Sequence, residues 1–405
     1  MASTIPQKRP LEEDETLSES QEQLQSVSNG GPISQPLSTT PSVKIELSNL
    51  KSNMNKYQPY ISYKPTDFLY FEPHAIESKI EGFYQIDDMP FNTRRGFQYS
   101  PSSPNPLLPI IKFSLTELPP FKPTLSYFDR SNATLISEDL SSVTTDRGWV
   151  SARASTPIQE GKVYLEFNII KSDESSHVRI GIGRREASIE APIGFDGYGY
   201  ALRDKTGQKV HLSRPCPFMD SFQTGDVIGF LIQLPIMTEF QDITRDQIAI
   251  RYRNRLYLEK FDYIPNKKME HLLNPMTVFG EKTVADTNPF LPISLTNSSI
   301  TIFKNGKYIG VPFEDLYAFL PPFSELGKNK QNMFNNNGTL GYYPTVSVFN
   351  GGIAELNPGP NFKFRPDDLG NDVKDYCELY GEKIAEEIVW DIIDEIEAEL
   401  IHDSV

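Results

Sequence analysis

The residue types that usually carry chemistry are few in this chain and poorly spaced for it. Five histidines, His74, His177, His211, His271 and His402, fall in neither HExxH nor HxH spacing, and no carboxylate cluster stands at metal-ligand intervals beside them. Cys216 lies between two prolines without a CxxC companion, and Cys377 stands alone. Gly181 and Gly183 begin a GxGxxG pattern, but its last position is Glu186. There is neither a P-loop nor a GxSxG nucleophile elbow. No catalytic residue, cofactor or metal ligand is assigned, and the chain reads as a binding protein rather than an enzyme.

The remaining chemistry is recognition. In Val178-Arg179-Ile180-Gly181-Ile182-Gly183 the apolar residues alternate, so Arg179 shares the opposite face with two glycines, which leave space beside a guanidinium. Such an arginine either pairs with a neighbouring carboxylate on a solvated face or floors a pocket that grips an anion bidentately. Periodicity alone favours the first. Arg251, Arg253 and Arg255 also alternate, beside Tyr252 and Tyr257. Basic residues among aromatics are a candidate nucleic-acid contact, though the solvent face of an edge strand is the commoner meaning.

A third feature is helical. From Glu382 to Ile401 the apolar positions Ala385, Ile388, Val389, Ile392, Ile393, Ile396 and Leu400 trace one stripe, and acids fill much of the remaining surface. The stripe either docks back onto the chain's own body or enters a groove between partner helices.

The elements that position these groups read as β-structure. Val163 to Ile169 alternates apolar and polar, Val227 to Leu234 is apolar on both faces like a central strand, and Tyr343 to Phe349 supplies another strand. Asn305-Gly306 between apolar runs signals a tight hairpin. Many short strands with turns between them predict an all-β antiparallel sandwich over 124–366, interrupted by an insertion at 236–299 with its own strand near 248–258. Residues 1–55, rich in Ser, Gln, Pro and Glu, are expected to be a disordered tail, with Lys8-Arg9-Pro10 a candidate import signal. Residues 56–123 read as extended chain packed on the sandwich, and 367–405 as an acidic linker ending in the amphipathic helix.

Of the formal charge of −15 in 405 residues, −12 lies between Asp367 and Val405, which leaves the body at −3. The total argues against a general nucleic-acid binder, yet the body can present local basic surface. Two cysteines build no disulfide framework, and no run nears 18 apolar residues, so a soluble protein of a reducing compartment is expected, with no membrane contact.

Gly148-Trp149-Val150-Ser151-Ala152-Arg153-Ala154-Ser155 followed by Gly161-Lys162-Val163-Tyr164-Leu165-Glu166 resembles the opening of a SPRY domain. Ala191-Pro192-Ile193-Gly194-Phe195-Asp196, then Tyr200, Arg203 and Lys205, resembles the SPRY subunit (Ash-two/Bre-two type) of COMPASS histone methyltransferase complexes. Gly225-Asp226-Val227-Ile228-Gly229-Phe230, Phe303-Lys304-Asn305-Gly306 and Asn357-Pro358-Gly359-Pro360-Asn361-Phe362 continue the likeness in order. Trp390-Asp391-Ile392-Ile393 through Leu400 is similar to that family's terminal helix. The likeness covers roughly residues 124–401.

The resemblance implies a non-catalytic nuclear scaffold within a complex that methylates lysine four of histone H-three. It implies a basic pocket for an acidic segment of the WD-repeat scaffold subunit, at Trp149, Arg179, Pro192, Phe195, Arg203 and Lys205. It likewise implies a helix, through Val389, Ile392, Ile393, Ile396 and Leu400, that binds a Dpy-type dimer. The SET-domain methyltransferase would be met within the complex, and the nucleosome through the arginine stripe. Trp149 and Phe195 stand where the family has tyrosines, which puts those hydroxyl contacts in doubt. Two cysteines cannot supply the zinc-binding region of the animal proteins, so the chain resembles the short fungal form. A SPRY receptor that recruits substrates to a ubiquitin ligase is the alternative.

Overall fold

The computed structural model describes residues 76–85, 97–117, 121–236, 243, 247–274, 276–279, 282–285, 290–321 and 336–403. The tail at 1–55 and Lys8-Arg9-Pro10 within it lie outside these residues.

Two large antiparallel sheets enclose the main core. The first runs β1 (Phe83–Tyr84), β4 (Leu135–Ser137), β5 (Ser142–Thr144), β20 (Ile353–Asn357), β7 (Gly161–Lys171), β12 (Val227–Leu234), β17 (Ser299–Lys304), β18 (Lys307–Glu314), with β21 (Val373–Asp375) parallel to the start of β7. The second runs β11 (Arg214–Cys216), β10 (Lys209–His211), β9 (Gly199–Arg203), β8 (His177–Gly183), β19 (Tyr343–Phe349), β6 (Val150–Ala154), β3 (Leu125–Arg130). Val163, Leu165, Phe167 and Ile169 of β7 pack in one cluster with Val178, Ile180 and Ile182 of β8 and Ile228, Phe230 and Ile232 of β12. Each such side chain contributes roughly 1.5–3 kcal/mol when withdrawn from water. Asn305 and Gly306 turn β17 into β18 with φ of 51° and 78°, the left-handed pair a tight hairpin requires.

The insertion orders into a sheet of its own. β13 (Gln247–Tyr252) and β14 (Arg255–Phe261) form a hairpin, and β14 pairs with β2 (Phe97–Ser102), far upstream in the chain. Thus the strand at 97–102 adds to the insertion's sheet rather than to the sandwich. The insertion's other described elements include a short helix α1 (Lys267–His271), capped by Asn266, and a hairpin of β15 (Met276–Phe279) and β16 (Lys282–Ala285).

Helix α2 (Tyr376–Asp403) begins six residues before the expected Glu382. Its first turns carry no exposed apolar stripe because they are anchored. The Tyr376 hydroxyl donates to the Thr156 carbonyl at 2.6 Å and accepts from the Thr156 N–H at 3.2 Å, and Tyr380 and Ile384 are buried. At the far end Ala398 and Ile401 pack with Ala249, Leu256 and Leu258 of the insertion sheet and with Ile111 and Phe113. No described helix is long and apolar enough to cross a membrane.

Candidate functional site

β8 lies between β9 and β19 and sends Val178, Ile180 and Ile182 into the core, so Arg179 is forced onto the outer face. The register aligns Arg203 of β9, Arg179 of β8 and Ser347 of β19 in one row, continued by Ser151 of β6. Trp149 precedes β6, and its ring lies 5.2 Å from the Arg179 guanidinium carbon and 5.5 Å from the Phe349 ring. A cation over an indole face is attracted by the ring quadrupole, which fixes the guanidinium plane.

Arg179 is only 9% exposed, and Nη1 donates to the Ile193 carbonyl at 3.2 Å while Nε has no acceptor. Among the described residues no carboxylate forms an ion pair with it. Burial, then the neighbouring Arg203 charge, lower its pKa to about 10 against the pull of Asp204, so it stays a cation at neutral pH. Asp204 Oδ2 is committed elsewhere: it accepts from Ser172 Oγ at 2.7 Å and the Val178 N–H at 3.0 Å and meets His177 Nδ1 at 3.1 Å, while Oδ1 is buried without a partner. Two adjacent guanidinium groups against the one Asp204 carboxylate leave the face cationic, with a buried donor idle on Arg179.

The loop bearing Pro192 and Phe195 is laid across this face by two buried serines. Ser151 Oγ donates to the Ala191 carbonyl at 2.6 Å, and Ser347 Oγ accepts the Ile193 N–H at 2.8 Å. The two glycines of β8 serve this loop and the next strand, not the guanidinium. A Cβ on Gly183 would sit 2.6 Å from Ile193 Cδ1, and one on Gly181 would sit 2.0 Å from the Tyr200 carbonyl oxygen. The space expected beside Arg179 is therefore filled by the folded-over chain. Phe195 is exposed on that loop, and Lys205 is exposed on the turn that the Arg203 and Gln208 backbones close. Trp149, Arg179, Pro192 and Arg203 thus gather at one face, flanked by Phe195 and Lys205.

The terminal helix is oriented opposite to a usual amphipathic helix. Ile388, Val389, Ile392, Ile396 and Leu400 are each about half exposed, and Ile393 is intermediate. Several of its acids turn inward instead, while Glu382, Glu386 and Glu399 stay exposed. Glu395 accepts the N–H groups of Ile110 and Ile111 at 2.8 and 2.9 Å. Asp391 accepts those of Leu115 and Thr116 at 2.7 and 3.3 Å together with the Thr116 hydroxyl at 2.6 Å, and Glu387 accepts that of Glu117 at 3.1 Å. Charge-assisted bonds to backbone amides are among the stronger hydrogen bonds, so a polar face can hold the helix down and leave the apolar stripe outward.

The arginine stripe does not form. β13 ends at Tyr252, and Arg253 and Asn254 occupy the turn with φ of 47° and 63°. Arg251 is paired with Leu256 and Arg255 with Tyr252, so the two arginines point to opposite faces. As a candidate DNA contact, Arg251, Arg253 and Arg255 surround a hairpin tip rather than line a strand face. Among the described residues, no group of three or more His, Cys, Asp and Glu is placed to hold a metal.

Sequence reasoning missed Ser151, Ser347, Phe349 and His177 as builders of the cationic face. The alternation of Val346 and Val348 was signal enough to put Ser347 and Phe349 outward.

No family model matches the chain. Three curated relatives give its lineage. It is 38% identical over 98% of its length to "Set1 complex component ash2" of Schizosaccharomyces pombe, and the match spans 60% of that longer protein. It is 34% identical over 82% of its length to "COMPASS component cclA" of Colletotrichum higginsianum, covering 73% of it. With "COMPASS component BRE2" of Saccharomyces cerevisiae the identity is 30%, over 80% of this chain and 92% of that one. The SPRY domain of human HERC1 aligns with 58% of the chain at 14% identity and a TM-score of 0.33. Identities of 30–38% over 80–98% of its length place this chain in the family of the Set1 complex component ash2 and the COMPASS components cclA and BRE2.

Proposed function

We propose that this chain is a non-catalytic, nuclear subunit of a COMPASS-type histone H-three lysine-four methyltransferase complex, built to hold two other subunits at once. The SPRY-type sandwich receives an acidic segment of the WD-repeat scaffold subunit at Trp149, Arg179, Pro192, Phe195, Arg203 and Lys205. The stripe Val389, Ile392, Ile393, Ile396 and Leu400 enters the groove of a Dpy-type helical dimer. Through these contacts the chain acts on the SET-domain methyltransferase, because ordering the acidic segment favours the enzyme's active arrangement.

The observation that carries the reading is the buried Arg179 guanidinium with an idle Nε and no carboxylate of its own. A buried cation of this kind is stabilised by an incoming carboxylate that can bond to it, and the adjacent Arg203 adds a second charge. The test is Arg179→Ala in the full chain, with binding to the purified WD-repeat subunit followed by calorimetry. Loss of about 2–5 kcal/mol of affinity is expected with the fold unchanged. Wild-type affinity in the variant removes the cationic face from the account.

A further inference from the structure

The same tight turn is built twice in this fold, once from residues suited to it and once from residues that are not. Asn305-Gly306 joins β17 to β18, with Lys304 opposite Lys307 and both turn residues left-handed, the pair such a turn favours. Leu212-Ser213 joins β10 to β11 in the same way, with His211 opposite Arg214 and φ of 53° and 56°. A leucine in the left-handed region is an outlier, because its Cβ crowds the following carbonyl oxygen. Backbone of this kind persists only where the surroundings over-determine it.

Those surroundings are the loop that carries Phe195. The Leu212 N–H donates to the Asp196 carbonyl at 3.2 Å, and the Ser213 N–H donates to the Gly194 carbonyl at 3.0 Å. The Ser213 hydroxyl donates to the carbonyl of Phe195 itself at 2.8 Å. Three consecutive carbonyls of the loop are thus held by one hairpin tip. The buried Leu212 side chain lies over Gly197, where an added Cβ would stand 3.1 Å from Leu212 Cδ2. Gly194, with φ of 81°, lets the loop run against β10, since a Cβ there would sit 2.5 Å from the Val210 carbonyl oxygen. From the other side Arg214 Nη2 donates to the Leu272 carbonyl at the end of α1, at 3.0 Å, and steadies the hairpin.

Ser151 and Ser347 already grip this loop at Ala191 and Ile193, so the hairpin tip supplies the second hold. Phe195 lies beyond the first hold and is 44% exposed at the rim of the cationic face. Its N–H is taken by the Pro192 carbonyl at 3.0 Å and its carbonyl by Ser213. A half-exposed ring takes much of its direction from the backbone that bears it.

We propose that Ser213 is a positioning residue of the cationic face: from its left-handed tip it fixes the Phe195 carbonyl and so presents the Phe195 ring to the incoming acidic segment. This rests on the reading of that face as the site for the WD-repeat subunit. Ser213 acts through Phe195 and not on the segment itself.

The test uses the full chain and the purified WD-repeat subunit, with affinity read by calorimetry. Ser213→Gly deletes the hydroxyl, keeps both N–H groups of the tip and suits the left-handed φ, so the melting temperature should hold or rise. Affinity should nevertheless fall about two- to fivefold, the scale of one hydrogen bond at an exposed position. In a Phe195→Ala background, itself weaker than wild type, the same substitution should change affinity no further, because no ring is left to position. Wild-type affinity in Ser213→Gly or in Phe195→Ala overturns the proposal. So does an equal loss with and without the Phe195 ring, or a loss that accompanies a lowered melting temperature. Arg179→Ala separates this role from the reading beneath it. Wild-type affinity in Arg179→Ala removes the face as a whole, whereas a loss there with none in Ser213→Gly removes the role of Ser213 alone.

Discussion

Ser347 shows how much a single hydroxyl can organise. It is fully buried, shares a 2.8 Å hydrogen bond with Ser151 Oγ and accepts the Ile193 N–H at 2.8 Å. Ser347→Ala removes no charge from the cationic face, yet it leaves the Ile193 N–H without its acceptor. The expected cost is about 1–3 kcal/mol of stability by denaturant titration, with faster amide exchange over 191–195 and weaker binding of an acidic peptide. Unchanged exchange in that loop means the serine is not its anchor. At this scale the sequence was partly legible. The outward direction of Arg179 followed from strand alternation, whereas the purpose of Gly181 and Gly183 did not. A missing side chain marks space, and only the three-dimensional path of the 191–200 segment shows which neighbour fills it.

Helix α2 gives the sharpest contrast between two neighbouring isoleucines. Ile396 is 52% exposed on the outward stripe, and Ile401 is 7% exposed against the insertion sheet. Ile396→Glu is expected to leave the melting temperature of the isolated chain nearly unchanged, within about 0.5 kcal/mol, while abolishing co-purification of the helical-dimer subunit. Ile401→Ala should do the reverse, costing about 2–5 kcal/mol in the local unfolding of the helix end while sparing the stripe. Both substitutions together separate the helix's holding face from its binding face. The stripe was fully legible in the sequence because period 3.6 survives any environment. The side that docks was not legible, because pattern rules assign burial to apolar faces and have no term for carboxylates that grip a neighbouring backbone. The arginine stripe failed for a related reason: nothing in Arg253-Asn254 marks a turn as strongly as Asn305-Gly306 does.

Across the whole molecule, a buried ionic cluster ties the sandwich to the insertion. Arg153 binds both oxygens of Asp129 at 2.7 and 2.8 Å, and Arg185 bridges Asp129 to Asp262, the latter at 3.1 Å. Burial raises the Asp129 pKa, but the charges of Arg153 and Arg185 outweigh it and hold the carboxyl below its ordinary 3.8. Its stabilisation is therefore complete above that ordinary value and fades as pH falls through the lower folded one. Asp129→Asn is expected to cost about 3–5 kcal/mol at neutral pH, because two buried guanidinium groups lose their counter-charge. The deficit relative to wild type should shrink as both are taken to strongly acidic pH, as measured by thermal melts across a pH series. A deficit that stays constant down to pH ~2 would show that packing, and not charge, sets it.

The clasp between α2 and residues 110–117 has a chemical peculiarity. Its carboxylates reach main-chain amides, and apart from the Thr116 hydroxyl they read no side-chain identity. Such a latch is blind to most of the alphabet but not to one letter. Alanine at 110, 111 or 115 keeps the N–H that the acids need, whereas proline deletes it. Alanine at 110 or 115, where the side chains are only partly buried, should leave this latch closed, judged by protease resistance of the helix, and proline at either should spring it.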